Sequence, residues 1–109
     1  MTQQVMIATL YALEGQEEAG RALLEEAQIP SHDEAGCRLY ALHVDEADPR
    51  RFVMIEIWDD DAAFESHFAS PHVQALIAKS EGVFTGPPEL KRLGALPGGH
   101  PRKGVVTGD

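Results

Sequence analysis

Four side chains between positions 56 and 72 have the types needed for acid–base chemistry or for binding an aromatic molecule. Glu56 and Trp58 lie in an otherwise apolar segment, and two imidazoles follow at His67 and His72. A carboxylate among apolar residues needs a partner or a function, because an unpaired buried carboxylate is costly. This segment is therefore the first candidate for a functional site.

Residues 52–58 are predicted to form a strand, in which alternate residues point to opposite faces of the sheet. One face is entirely β-branched (Val53, Ile55 and Ile57), which suits packing against a second sheet, so we predict that it meets the same face of a second subunit. The other face mixes apolar, aromatic and acidic groups, as a pocket lining does (Phe52, Met54, Glu56 and Trp58).

A helix is predicted directly after this strand, and His67 lies on its inward stripe with Phe64 and Phe68. We expect Glu56 and His67 to meet between helix and sheet, where the carboxylate would orient the imidazole and raise its pKa. A purely structural hydrogen bond between the two is an equal alternative.

The neighbouring side chains have competing interpretations. Trp58 is a pocket wall or a core residue, Tyr40 on the adjacent strand reaches the pocket only if the hairpin register allows it, and His72 is a pocket residue or a surface residue at a helix start. The histidines at 67 and 72 are separated by Ser70-Pro71, so they are not expected to share one helical face. No metal site is predicted.

The elements predicted around these residues follow the order strand, helix, strand, strand, helix, strand. We predict strands over 5–12, 37–44, 51–58 and 89–93, and a first helix that starts after Gly15 and ends at Ile29-Pro30. The acidic linker 45–49 suits a hairpin loop longer than two residues, and Asp59–Asp61 and Ser70-Pro71 start the later helical segments. This order is typical of an α+β, ferredoxin-like fold with a four-stranded antiparallel sheet.

Length and charge limit the remaining possibilities. The chain of 109 residues fits one domain over 1–93 and a Gly/Pro-rich tail over 94–109. A net charge of -9 argues against nucleic-acid and membrane partners, which need basic patches. The N-terminus lacks signal-peptide features, and Cys37 is the single cysteine, so we expect a cytoplasmic protein without an internal disulfide.

Four stretches, in order and with fitting separations, resemble the antibiotic biosynthesis monooxygenase family of dimeric α+β barrels. They are Gly36-Cys37-Arg38-Leu39-Tyr40, Asp48-Pro49-Arg50-Arg51-Phe52, Glu56-Ile57-Trp58-Asp59-Asp60 and His67-Phe68-Ala69-Ser70-Pro71-His72. The similarity extends over about residues 4–93.

The resemblance implies a homodimer and a cofactor-independent monooxygenase that oxidises a quinol or related phenol with O2. It implies His67 as proton acceptor oriented by Glu56, with Trp58, Phe52, Tyr40 and His72 around a small aromatic substrate, and no metal. The alternatives are a non-catalytic module that binds a small ligand in the same pocket, and a stress-response or assembly protein whose dimer face matters most. The sequence does not separate catalysis from binding, since both use the same residue types.

Overall fold

A computed structural model describes residues 3–108 of the chain and shows four strands and three helices. The elements in chain order are β1 (Gln4–Tyr11), α1 (Glu17–His32), β2 (Cys37–Asp45), β3 (Asp48–Trp58), α2 (Asp61–Phe68), α3 (Pro71–Lys79) and β4 (Glu89–Leu93). The predicted α+β, ferredoxin-like architecture is confirmed.

The strands form one antiparallel sheet in the order β2-β3-β1-β4. Its register aligns Glu56 of β3 with Tyr40 of β2 on one side and with Met6 of β1 on the other. Because aligned residues point to the same face, this register places the three side chains side by side beneath the helices.

The helix-covered face of the sheet carries the hydrophobic core. Its side chains are buried against the helices and include Met6, Ala8, Leu10, Tyr40, Phe52, Met54 and Trp58. On the opposite face Ile7, Val53 and Ile55 are only partly covered, since no helix packs on that side. Burial alternates as predicted from Phe52 to Glu56, but Ile57, expected on the open face with Val53 and Ile55, is buried.

Two predicted boundaries were wrong. Helix α1 continues through Pro30 to His32. A proline near the end of a helix removes only one backbone hydrogen bond, so the helix tolerates it. The next residue, Ser31, donates its hydroxyl to the Ala27 carbonyl at 2.7 Å. The β2–β3 hairpin has a two-residue loop, Glu46-Ala47, because Asp45 pairs directly with Asp48. The Asp45 carboxylate accepts the backbone N–H of Ala47 at 2.8 Å, which stabilises this tight turn.

The caps of the two short helices follow the predicted signals. The Asp60 carboxylate accepts the Ala63 N–H at 2.8 Å, and Ser70 is the N-cap of α3 with Pro71 in its first turn. These caps fix where α2 ends and α3 begins, and therefore how His67 and His72 face each other.

The tail after β4 returns to the sheet. Val105 and Val106 lie near Val5 and Leu93 at one corner of the open face, and Gln3 and Gly108 exchange hydrogen bonds of 2.9 and 3.1 Å. The division at residue 94 stays a prediction, and Asp109 lies outside the described residues. None of the helices between residues 3 and 108 is long and apolar enough to cross a membrane.

Candidate functional site

The indole of Trp58 determines the surroundings of Glu56. Both residues point from β3 toward the helices, and Trp58 Nε1 donates a 2.9 Å hydrogen bond to Glu56 Oε1. The Glu56 side chain is buried, at 2% exposure, and burial raises the pKa of its carboxyl to about 7, although the indole N–H opposes the rise. The partner of Glu56 is thus Trp58 and not His67, so the expected Glu56–His67 pair is absent.

His67 is held by a different carboxylate. Its Nδ1 lies 2.7 Å from Glu34 Oε2, and its ring packs against Trp58 and Tyr40 with centroid separations of 4.4 and 5.2 Å. Burial among these rings lowers the pKa of His67, and the bond to Glu34 offsets only part of that effect. The expected rise in this pKa was therefore wrong, because desolvation outweighs the neighbouring carboxylate.

His72 joins the same carboxylate from the next helix. Its Nε2 lies 2.9 Å from Glu34 Oε2 and 3.1 Å from Ser70 Oγ, while the Ser70 hydroxyl donates to the His67 carbonyl at 2.6 Å. The ligand atoms of Glu34, His67 and His72 all lie within 4.8 Å of one another. The Ser70-Pro71 turn, which was expected to separate the two imidazoles, brings them to one point instead.

The other predicted binding residues divide into two groups. Tyr40 lines the cavity described below, and burial raises the pKa of its hydroxyl above the ordinary value. Phe52 lies four residues before Glu56 on β3, so the two residues are about 13 Å apart along the strand. The Phe52 ring packs against Phe84. Trp58 is fully buried under His67 and Phe64. Neither Phe52 nor Trp58 lines this cavity, and their stacking on a substrate stays a prediction.

A small apolar cavity lies between the sheet and helices α2 and α3. Its polar lining is formed by Tyr40, Glu56, His67 and Ser80, and its apolar lining comprises Ala8, Leu10, Met54, Phe64, Phe68, Val73, Leu76, Ile77, Pro88 and Leu90. Its volume is about 50 Å³, and a groove of about 310 Å³ adjoins it at Leu10, Phe68, Ile77, Ser80 and Pro88. Cavity and groove together reach the lower range of small-molecule sites.

Glu34 is the site residue that the sequence analysis missed. It lies in the connector 33–36 between α1 and β2, and the polar sequence from Ser31 to Gly36 resembles any solvated loop. Only the packing of α2 and α3 against this connector brings Glu34 to the imidazoles, and spacing along the chain carries no signal of that contact.

Cys37 lies beside the site without joining it. The thiol is half-buried and free, and burial with the nearby charges of Glu34 and Glu56 raises its pKa to about 11. A thiol with so high a pKa is a poor nucleophile at neutral pH, as expected for a structural cysteine.

Chemically, the arrangement offers a mostly apolar cavity with two proton-accepting groups in its lining, and a carboxylate that orients one of them. Glu34 fixes the His67 ring from its Nδ1 side, and the Glu56 carboxyl titrates near neutrality inside the cavity. Groups of this kind exchange protons with a bound phenol or enol.

Several proteins of known structure resemble this chain in fold and in sequence. A protein from Pseudomonas aeruginosa is 36% identical, with a TM-score of 0.83 over 88% of this chain and 96% of its own. A protein from Mycobacterium tuberculosis is 26% identical, with a TM-score of 0.80 over 91% and 100% of the two chains. A solved structure named an antibiotic biosynthesis monooxygenase is 28% identical, with a TM-score of 0.80 over 86% and 99%.

One curated relative, an uncharacterised protein from Synechocystis sp., is 34% identical over 62 residues, which cover 57% of this chain. The matched segment spans 42% of the length of that relative. Residues 4–79, which include the site residues Glu34, Glu56, His67 and His72, match the antibiotic biosynthesis monooxygenase family. The chain therefore belongs to the antibiotic biosynthesis monooxygenase family.

Proposed function

We propose that this protein is a monooxygenase that oxidises a quinol or a related phenol with O2 in the cavity beneath its helices. The observation that supports this most directly is that Glu56 and His67, two proton-accepting groups, line one apolar cavity. Membership of a family named for monooxygenases points in the same direction.

The reaction begins with removal of a phenolic proton. The resulting anion is electron-rich and transfers an electron to O2, and the two radicals combine to form a C–O bond. Loss of water from the hydroperoxide then leaves one oxygen atom on the ring and the other in H2O, so a hydroquinone and O2 give a hydroxyquinone and water. In this scheme the substrate itself supplies the electrons.

In this proposal His67 accepts the phenolic proton. When Nδ1–H donates to Glu34 Oε2 at 2.7 Å, the neutral ring carries its free lone pair on Nε2. Glu34 thus does the orienting that the sequence analysis assigned to Glu56. Glu56, with its pKa raised to about 7, is the second proton carrier of the cavity.

The proposal requires the cavity to widen when substrate binds. About 50 Å³ holds a few water molecules, whereas a cavity of roughly 150 Å³ is needed for benzene. The adjoining groove supplies the route, since the half-exposed side chains of Phe68 and Ile77 border both spaces. Rotation of these side chains would join groove and cavity.

The proposal also includes a homodimer formed through the open face of the sheet. Ile7, Val53 and Ile55 are adjacent across the β1–β3 pair and only partly covered. The tail lies near Val5 at one end of this face and reaches Arg38 of β2 through Gly108. A flat β-branched surface of this kind packs well against its own copy. The cytoplasmic location inferred from the sequence stays a prediction.

The test is oxygen consumption with a panel of benzo- and naphthohydroquinones, measured with a metal chelator present and corrected for autoxidation. We expect turnover by the wild type and a loss of at least about 100-fold in His67→Ala, the usual scale for a missing general base. Glu56→Gln should also lose activity, and His43→Ala, on the exposed part of β2, should retain it.

Unchanged rates in both cavity variants would remove the mechanism. Saturable binding of a hydroquinone without oxygen consumption would instead support the non-catalytic binding module.

A further inference from the structure

We propose that Glu34, His67 and His72 form a binding site for one divalent transition-metal ion, with Zn²⁺ as the test ion. The reaction proposed above uses Glu34 only to orient His67 and gives His72 no part. The convergence of a second imidazole on the same carboxylate oxygen therefore calls for its own explanation.

The spacing of the three ligand atoms suits a metal ion. Glu34 Oε2 lies 2.7 Å from His67 Nδ1 and 2.9 Å from His72 Nε2. Metal–nitrogen and metal–oxygen bonds of about 2.0–2.2 Å separate neighbouring ligands by roughly 2.9–3.4 Å, depending on coordination geometry. The two distances to Glu34 need to lengthen by only a few tenths of an ångström to reach this range, and the two imidazole nitrogens lie within 4.8 Å of each other.

The donor set selects the kind of ion. Two imidazole nitrogens and one carboxylate oxygen match the ligands of Zn²⁺ in hydrolytic enzymes and of Fe²⁺ in facial triads. Ca²⁺ and Mg²⁺ prefer sites built from oxygen ligands alone, so this cluster discriminates against them.

The ligands come from three separate elements that the fold holds in place. Glu34 lies in the α1–β2 connector, His67 in the last turn of α2 and His72 in the first turn of α3. Ser70 caps α3 and bonds to the His67 carbonyl, which fixes the turn between the two histidines. Ligands placed by packed elements are preorganised and lose little freedom when the ion binds.

The cluster is reachable from solvent on one side. The side chains of His72 and Glu34 are 21% and 17% exposed, whereas that of His67 is 5% exposed. An ion arriving through this opening would keep water in its remaining coordination positions, because the protein supplies only three ligands.

His67 cannot bind a metal ion and act as the proton acceptor of the proposed oxidation at the same time. An ion on Nδ1 leaves the ring proton on Nε2, the nitrogen that would otherwise accept the phenolic proton. Zn²⁺ would therefore act as an inhibitor of the oxidation, while the binding itself needs no substrate and can be measured without any activity.

The experiment is calorimetric titration of the untagged full-length protein with ZnCl2 after removal of metals by chelation. We expect one ion per chain with a Kd in the micromolar range or tighter, and at least tenfold weaker binding in His72→Ala and in Glu34→Gln. His43→Ala removes an exposed imidazole outside the cluster and should bind as the wild type does. Circular dichroism and denaturant unfolding of each variant show that it is folded.

Titration with Co²⁺ adds a measurement that does not depend on a variant. Bound Co²⁺ should show d–d absorption bands typical of nitrogen and oxygen ligands, and excess Zn²⁺ should displace them. Absence of saturable binding up to millimolar Zn²⁺, or equal affinities in the wild type, His72→Ala and Glu34→Gln, would overturn the proposal.

Discussion

Replacing Glu56 by Gln should stabilise the protein at high pH and leave its stability unchanged at low pH. The glutamine side chain has the shape of the protonated acid, and its amide oxygen can still accept the Trp58 N–H. It therefore reproduces the neutral form of Glu56 and removes the cost of an ionised carboxylate at a position that is only 2% exposed.

The direction follows from proton binding. The pKa of Glu56 rises from 4.5 to about 7 on folding, so between these values the folded protein binds more protons than the unfolded chain. The free energy of unfolding of the wild type must then fall as the pH increases from about 4.5 to about 7.

The magnitude is set by the size of that shift. At about 1.4 kcal/mol per pKa unit, ionisation of Glu56 costs the folded wild type about 3 kcal/mol at pH 8, about 2 kcal/mol at pH 6 and almost nothing at pH 4. The difference between Glu56→Gln and the wild type should follow the same three values.

The assay is urea unfolding at pH 4, 6 and 8 at one fixed protein concentration. Trp58 is the only tryptophan in the chain, and its indole bonds directly to residue 56, so fluorescence reports unfolding at the site, with circular dichroism as the independent signal. Glu46→Gln, in the exposed β2–β3 turn, controls for the loss of one negative charge.

A difference that is constant across the three pH values would refute this reasoning, because no proton would then be linked to folding at residue 56. A glutamine variant that is less stable than the wild type at pH 8 would also refute it, since Glu56 would then gain more from its contacts as an anion than burial costs.

Three further predictions concern other parts of the fold. Glu34→Gln should reduce hydroquinone oxidation by impairing the orientation of His67 while leaving substrate binding nearly unchanged, which steady-state kcat and KM values will separate. Ile55→Lys should convert the proposed dimer to a monomer in light scattering, whereas Ala22→Lys on the exposed side of α1 should not; a wild-type monomer would contradict the proposed interface. Gly36→Ala should lower the free energy of unfolding by about 1–3 kcal/mol in urea unfolding, because the new Cβ would collide with the Ala63 Cβ of α2. Adding Ala63→Gly should recover part of this loss. If the effects of the two changes are simply additive, the contact is contradicted.

Local signals in the sequence predicted most of the fold because they act over a few residues. The alternation of residues 52–58 identified the two faces of β3, and the Asp60 and Ser70 caps located the starts of α2 and α3. The errors occurred where tertiary packing overrides such signals. Helix α1 continues past Pro30, and an acidic linker closes into a two-residue turn because the paired strands hold its ends together.

The candidate site was predictable in composition but not in connectivity. Glu56, His67 and Tyr40 do line one cavity, as their positions on inward faces suggested. Glu56 and His67 were predicted to bond to each other, but Glu56 accepts the N–H of Trp58, two residues away on the same face of β3, and His67 bonds to Glu34. Glu34 was missed because only the docking of a loop against two helices brings it to His67 and His72.

The stability and activity of Glu56→Gln, measured together, test why the carboxylate is there. A buried acid that costs about 3 kcal/mol at pH 8 uses a large part of the 5–15 kcal/mol by which a small domain is stable. Glutamine would satisfy the same indole without that cost, so the hydrogen bond alone does not account for a glutamate at this position. A proton that enters and leaves the cavity near neutral pH does account for it. A variant that is both more stable and less active at pH 8 would therefore identify proton exchange as the role of Glu56, whereas a more stable variant with full activity would leave catalysis to His67 and its Glu34 partner.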